Sequence, residues 1–321
     1  MAKILKANEF MNKELDRCKG ALLGLAAGDA LGTTLEFKRP GTFTPIADMV
    51  GGGPFALAPG QWTDDTSMAL CLADSLIETE CFDAFDQLDR YLRWYREGYN
   101  SSNGTCFDIG NATRQALFAY NSSGQPYCGD TSRHSAGNGS IMRLAPIAVF
   151  YYKNHRELDY RAALSSKTTH AAPQCIAACR YMAGLIAGAI TGVSKEELLS
   201  ECYSPLKELW DIEPMDEPVL EVALGSFKNN RPPQIYGSGY VVKTLEAALW
   251  AFYNTSDFES GALKVVNLGD DADSTGAVYG QIAGAYYGMS GIPEKWRKKI
   301  FRALDIEVSA ECLYNLAQKN A

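Results

Sequence analysis

Apolar residues recur every three or four positions along much of this chain. Met68, Cys71, Leu72, Ser75, Leu76 and Thr79 fall on one face of a helix, because a turn of 3.6 residues brings i, i+3 and i+4 together. The same spacing predicts helices over 85–95, 112–119, 175–190, 241–252 and 276–287. Alternating patterns with hairpin turns are scarce and no β-α-β rhythm occurs, so the chain reads as all-α. Segments 40–60, 98–110, 122–139 and 205–239 break the periodicity with Gly, Pro and polar residues and read as loops over one helical body.

Glycine adds a constraint. Gly20, Gly24, Gly28 and Gly32 fall every four residues, as do Gly276, Gly280, Gly284 and Gly288, and again Gly184, Gly188 and Gly192. A glycine inside a helix costs about 1 kcal/mol against alanine. Rows of them imply an offsetting gain, and close approach of helix axes across a ridge without side chains supplies one. The alternative is that these stretches are loops; the alanines and leucines between the glycines oppose it.

Composition narrows the class. The 321 residues are 46% hydrophobic and 21% charged, with a formal net charge of −8. That balance gives no general attraction to nucleic acid or to anionic membranes. The nine cysteines have irregular spacing without a Cys-x-x-Cys pair, which suggests neither a zinc ribbon nor a disulfide framework. Cys175 and Cys179 can share a helix face and read as buried thiols. The first twenty residues lack a signal-type apolar core, and the apolar stretch 176–192 is interrupted by Arg180. A reducing cytoplasm is the expected location.

Chemistry concentrates in two motifs. Thr63-Asp64-Asp65-Thr66 opens the helix that carries Met68, and Asp270-Asp271-Ala272-Asp273-Ser274-Thr275 opens the helix that carries Gly276. Either alone has a plain explanation, since Thr, Ser and Asp cap helix N-termini and complement the helix dipole. Capping needs one side chain, however, and these turns carry five aspartates. If the turns meet, their carboxylates repel unless cations neutralise them. Carboxylates and hydroxyls without Cys or His suit Mg²⁺ or Mn²⁺ rather than Zn²⁺. Asp271 and Asp273 can point at one centre, with Asp273 bridging two ions that orient a diol and acidify a water.

These motifs occur in an ordered set: GALLGLAAGDALG (20–32), Leu35-Glu36-Phe37, GQWTDDT (60–66), AGNGSIMR (136–143), Thr169-His170, NLGDDADSTG (267–276) and AGAYYG (283–288). In that order the chain resembles the ADP-ribosylglycohydrolases, especially the bacterial branch with the dinitrogenase reductase-activating glycohydrolase. The resemblance implies a single orthogonal all-α domain over 20–321, preceded by an extension over 1–19, with a binuclear metal cleft. It implies Thr63, Asp64, Asp65, Asp271, Asp273 and Ser274 as ligands of two divalent ions, Mg²⁺ or Mn²⁺. Asp270 stands where the family has a glycine, and Ser274 where it has a threonine. Glu36 resembles an acid beside the metals that gates substrate. Asp64 and Asp108 resemble the catalytic acids, although Asn111 replaces a nearby family acid. Gly137, Asn138 and Gly139 resemble a diphosphate-cradling loop, with Arg143 closing the same motif. His170 resembles a ligand-facing histidine, and Tyr236, Gly237, Ser238, Gly239 and Tyr240 resemble the loop at the adenine end.

The implied activity is hydrolysis of the bond between ADP-ribose and a protein side chain, arginine by likeness to the bacterial branch. The implied partners are ADP-ribosylated protein and ADP-ribose, without nucleic acid or membrane. A second reading is an immunity protein that neutralises an ADP-ribosyltransferase toxin by direct binding as well as, or instead of, hydrolysis. Residues 1–19, with Phe10, Met11 and Leu15, would then form an interaction arm; otherwise they form an extra helix on the core. A structural protein on the same scaffold is a third reading, opposed by the retained acids.

Overall fold

The computed structural model describes residues 2–320, with side chains described from Asn12 onward. Phe10 and Met11 therefore lie outside the described side chains. Sixteen α-helices follow in order among the described residues: α1 (Ala2–Gly32), α2 (Asp64–Thr79), α3 (Ala84–Glu97), α4 (Asn111–Ser123), α5 (Ala145–Tyr151), α6 (His155–Lys167), α7 (Pro173–Thr191), α8 (Lys195–Leu198), α9 (Leu209–Ile212), α10 (Glu217–Ala223), α11 (Ser226–Asn229), α12 (Val241–Tyr253), α13 (Phe258–Val266), α14 (Ala272–Tyr287), α15 (Glu294–Arg297) and α16 (Ala303–Lys319). The molecule is all-α, and three isolated bridges tie loops together. Each of the helices expected from periodicity is present as α2, α3, α4, α7, α12 or α14.

The centre is an antiparallel pair, α1 against α14. From residue 20 to 32 nearly every α1 position is buried, and α14 is buried from Ala272 to Ala285. Helices apolar on all sides belong in a core. A Cβ on Gly20 would lie 2.1 Å from the Gly284 carbonyl oxygen, one on Gly24 would lie 2.2 Å from that of Gly280, and one on Gly28 would lie 1.9 Å from that of Gly276. No side chain fits there. The backbones touch, and Cα–H groups face carbonyls across the seam.

The third glycine row behaves differently. Gly184 faces the Pro205 ring and Gly188 faces the Tyr203 hydroxyl, while Gly192 ends α7 at φ +90°. Gly184 and Gly188 receive side chains from a covering segment, Gly192 meets the Arg17 guanidinium of α1, and none of the three brings a second axis close. That covering segment also corrects the loop reading of 205–239, which contains α9, α10 and α11. Helices of four to seven residues are too short to print a helical period on the sequence.

Helix α7 has the length and apolar character of a membrane span, but most of its residues are buried inside this body. Residues 12–19 continue α1 without a break. Glu14 accepts from the Tyr152 hydroxyl at 2.9 Å, and that hydroxyl accepts from Gln318 at 2.6 Å, which ties this end of α1 to the end of α5 and to α16.

Candidate metal centre and ligand cleft

The seam between α1 and α14 ends where the chemistry begins. A Cβ on Gly32 would lie 2.4 Å from the Asp273 Cα, so the end of α1 abuts the start of α14. The start of α2 lies against the same spot. Three acid-bearing segments meet there: Asp29 to Glu36, Thr63 to Asp65 and Asp271 to Ser274.

Most of the capping is performed by residues outside the two motifs, the exception being Asp273 Oδ1, which accepts from the Ser274 amide at 2.7 Å. Thr63 and Asp271 hold the N-cap positions of α2 and α14, and neither makes a side-chain cap. Asp29 does the work for α2. Its Oδ1 accepts from the Thr63 amide and hydroxyl, both at 2.9 Å. Its Oδ2 accepts from the Thr66 amide at 3.0 Å and hydroxyl at 2.6 Å. Glu36 serves α14, its Oε2 accepting from the Ala272 amide at 2.8 Å and the Asp273 amide at 3.4 Å. Asp64, Asp65, Asp271 and Asp273 are left to face one another.

The cluster is buried and short of positive charge. Oxygens of Asp29, Asp65 and Asp273 lie within 4.8 Å of one another, as do those of Glu36, Asp271 and Asp273, so Asp273 belongs to both groups. The Thr63 hydroxyl lies 3.1 Å from Asp65 Oδ2 and 3.2 Å from Asp273 Oδ2, and the Ser274 hydroxyl donates to Asp65 Oδ2 at 3.4 Å. Asp65 Oδ1 is buried without a partner. Burial, then repulsion from Asp273 and Asp29, pushes Asp64 well above the usual carboxylate range; burial, then Asp29 and Asp273, does the same to Asp65. Burial and Asp273 push Asp29 and Asp271 up to about 7, against the hydrogen bonds that favour their ionised forms. Burial, with Asp64 and Asp273, pushes Asp108 up to about 11. Burial and Asp273 raise Glu36 further still. An all-oxygen donor set with an orphaned carboxylate oxygen fits a hard divalent cation.

Above the cluster lies a cleft of about 820 Å³. Glu36, Asp64, Asp108, Asp271, Asp273 and Ser274 form its acidic end, whereas Thr63 and Asp65 lie beneath, reached through the hydrogen bonds just described. Asp108 and Asp270 hold left-handed backbone, at φ +60° and +54°. The Asp270 position is one that glycine adopts without strain. Its amide donates to the Lys38 carbonyl and its carbonyl accepts from the Phe37 amide, both at 2.7 Å, which joins the Glu36 turn to the start of α14.

Gly137, Asn138, Gly139 and His170 line another wall, as do Tyr236, Gly237, Ser238 and Gly239. The expected nest of three amides is reduced here. The Gly137 amide donates to Ser135 and the Asn138 amide to Gly239, leaving Gly139 as the one of the three without a protein partner among the described residues. The Asn138 side chain is also engaged: its Nδ2 donates to Asp271 Oδ2 at 2.8 Å and to the Thr244 hydroxyl at 3.1 Å. From the wall of the cleft it orients a candidate metal ligand.

Two expected ligand contacts lie elsewhere. Arg143 is buried beneath the cleft, with Nη2 donating to the Thr169 hydroxyl at 2.7 Å and its guanidinium 4.6 Å above the Tyr91 ring. Its guanidinium packs among Met68, Tyr91 and Thr169, and it does not line the cleft. Tyr240 turns to a neighbouring depression of about 420 Å³ beside Arg133 and Asp130, across the Gly137–Gly239 contact. Asp29 was missed in the sequence. Its signal was a single acid within the apolar row 20–32, where burial demands partners.

A family model described as ADP-ribosylglycohydrolase matches residues 11–321. The chain is similar to ADP-ribosylarginine hydrolase Tri1 of Serratia proteamaculans (strain 568), 45% identical over 306 residues that cover 95% of this chain and 81% of that protein. It is similar to ADP-ribosyl-[dinitrogen reductase] glycohydrolase of Rhodospirillum rubrum, 32% identical with 92% of each covered. Among solved structures, a chain of an "ADP-ribosylglycohydrolase-related protein complex" superposes with a TM-score of 0.84 at 44% identity, over 95% of this chain and 99% of that one.

Proposed function

This chain belongs to the ADP-ribosylglycohydrolase family, and from that we propose that it is a divalent-metal-dependent hydrolase that releases ADP-ribose from arginine side chains of proteins. The observation that carries the reading is the meeting of two distant acidic helix starts under one cleft while Asp29 and Glu36 cap those helices. The arginine assignment is supported by the relative named as an ADP-ribosylarginine hydrolase at 45% identity.

Thr63, Asp64, Asp65, Asp271, Asp273 and Ser274 would hold two Mg²⁺ or Mn²⁺ ions, with Asp273 common to both groups of acids. Bound there, such ions supply Lewis acidity to sugar hydroxyls and to water. The protein's own residues do the rest. Asn138 holds Asp271 in register. The free Gly139 amide and His170 offer donors to the nucleotide's anionic oxygens. Asp64 and Asp108 line the acidic end of the cleft; ionised once cations are bound, they would stabilise the cationic charge that develops at C1″ as the glycosidic bond breaks, and one of them would take the proton of the attacking water. Fixing the sugar and activating water together is worth several kcal/mol of barrier.

The test offers arginine-linked and serine-linked ADP-ribosyl peptides, in Mg²⁺, in Mn²⁺ and in chelator, and measures released ADP-ribose. Release from the arginine peptide alone, and only with metal, is expected. Equal release in chelator removes the metal assignment, and preference for serine removes the arginine assignment. A second reading adds direct binding of an ADP-ribosyltransferase; its one support is that the similar solved structure is of a protein complex. Asp273→Ala that no longer hydrolyses but still co-purifies with a transferase would favour it.

A further inference from the structure

Arg143 has no ion-pair partner among the described residues although it is 1% exposed. Its Nε is buried without a hydrogen bond. Its contacts are the Tyr91 ring, the Met68 sulfur at 3.5 Å and the Thr169 hydroxyl at 2.7 Å. A guanidinium can only donate, so the Thr169 oxygen accepts from it. The same oxygen lies 2.8 Å from His170 Nδ1. Thr169 is wholly buried, and no other acceptor for its proton occurs among the described residues. Were Nδ1 protonated, the Thr169 oxygen would accept twice and its own proton would be left unpaired. With Nδ1 unprotonated, the chain of donors closes.

We propose that Arg143 and Thr169 are positioning residues that fix His170 in the tautomer bearing its proton on Nε2, and that this N–H is presented to an anionic oxygen of the nucleotide. The ring is placed for that role. Its Nε2 has no partner among the described residues, and it borders the loop carrying the free Gly139 amide: a Cβ on Gly139 would lie 2.9 Å from Nε2, and one on Gly137 3.4 Å. Glycine at both positions leaves room for the ring edge beside the cleft. The backbone is pinned as well, the His170 amide donating to Ser166 at 2.7 Å and the Ser166 hydroxyl donating to the His170 carbonyl at 2.8 Å. Burial and the Arg143 charge push the imidazole down to about 3, so the ring stays neutral and keeps the two nitrogens distinct.

The chain has three histidines, and the other two, His134 and His155, are exposed and half-buried. Long-range ¹H–¹⁵N spectra of the whole protein at neutral pH can therefore isolate His170. The wild type should show protonated Nε2 and unprotonated Nδ1. Thr169→Val should move those shifts toward the averaged values of an unrestrained imidazole and weaken ADP-ribose binding roughly tenfold, as for losing one hydrogen bond to a charged acceptor. Thr169→Ser should restore both. Protonated Nδ1 in the wild type overturns the inference, as do unchanged shifts and affinity in Thr169→Val. Should that variant fail to fold, the wild-type tautomer still decides. The binding arm rests on the proposed ADP-ribose site, whereas the tautomer is read without ligand. Lack of ADP-ribose binding by a wild type that holds Nε2–H would count against the proposed function and leave the relay standing.

Discussion

Removing divalent metal should make the protein lose stability as pH rises. Asp29 and Asp271 are pushed up to about 7, and Asp64 and Asp65 well above the usual carboxylate range, by burial and mutual repulsion. In the unfolded chain each titrates near 4. A carboxyl group raised on folding contributes stability that is complete below its unfolded value and is lost as pH climbs through its folded value. Between pH 6.5 and 8 a proton the folded chain releases near 7, as at Asp29 or Asp271, removes about 1 kcal/mol, and one it keeps throughout, as at Asp108, removes about 2 kcal/mol. In a chain of this length these lower Tm by about 2 °C and about 4 °C, at roughly 2 °C per kcal/mol. Asp108 and Glu36, also raised by burial and neighbouring acids, add to the slope, while Lys195, pushed down to about 8 by burial, acts in the opposite sense only from about pH 8 upward. His170, pushed down to about 3, acts in the opposite sense, but only below about 6.5. Asp48, held down to about 2 by Lys299 and Trp296, matters only in strong acid. A bound divalent cation replaces the retained protons, so Mg²⁺ at a hundredfold excess over its Kd should return about 2.7 kcal/mol and flatten the slope. Scanning calorimetry in chelator and in Mg²⁺, at half-unit pH steps, reads both effects. A chelated protein whose Tm is level from pH 6.5 to 8, and which neither Mg²⁺ nor Mn²⁺ shifts, would refute the reasoning.

Asp29→Asn leaves one oxygen to accept where two served four donors. Metal-supported hydrolysis should fall at least about tenfold while helical circular dichroism persists, and a rate within twofold of wild type argues against the capping role. Gly24→Ala puts a Cβ 2.2 Å from the Gly280 carbonyl oxygen, which should cost about 1–3 kcal/mol even after about 1 kcal/mol of helix-propensity gain. Gly184→Ala meets only the Pro205 ring at 3.1 Å, so its denaturation midpoint should stay near wild type; equal losses in the two variants would undo the distinction between the rows. Asp270→Gly relieves a left-handed aspartate at φ +54° and should be neutral or stabilising by up to about 1 kcal/mol in urea melts.

Periodicity sufficed for α2, α3, α4, α7, α12 and α14, because each presents an apolar face over three turns or more. It failed for α9 to α11, whose four to seven residues are too few to repeat an apolar face. The paired glycine rows at 20–32 and 276–284 were legible because side-chain absence at a fixed interval has few uses. The third row at 184–192 looked the same, yet Tyr203 and Pro205 fill it; spacing alone does not say whether a helix axis or a side chain arrives. Within the site, residue types announced Asp64, Asp65, Asp271 and Asp273, but the assignment of caps was invisible. Asp29 lies 34 residues from the amide it caps and Glu36 lies 236, distances that local pattern does not span. Arg143 misled for a related reason: its place next to a ligand-facing loop suggested contact, and burial turned it inward to Thr169.

The delegated caps explain how a buried acidic site is tolerated in this fold. Had Asp64 or Asp271 capped its own helix, its carboxylate would point back at the backbone and leave the pocket. With Asp29 and Glu36 in that role, two helix N-termini still face the cluster. Each contributes a partial positive charge of roughly half a unit. That offsets only part of the charge on four or more carboxylates, and a divalent cation must supply the rest. Both caps come from α1 and the turn that follows it. Their positions are set by the seam against α14, which ends at Gly32 beside Asp273. A side chain added along the seam would therefore displace the caps as well as the core, so the glycines that pack the fold also set the spacing of the acids.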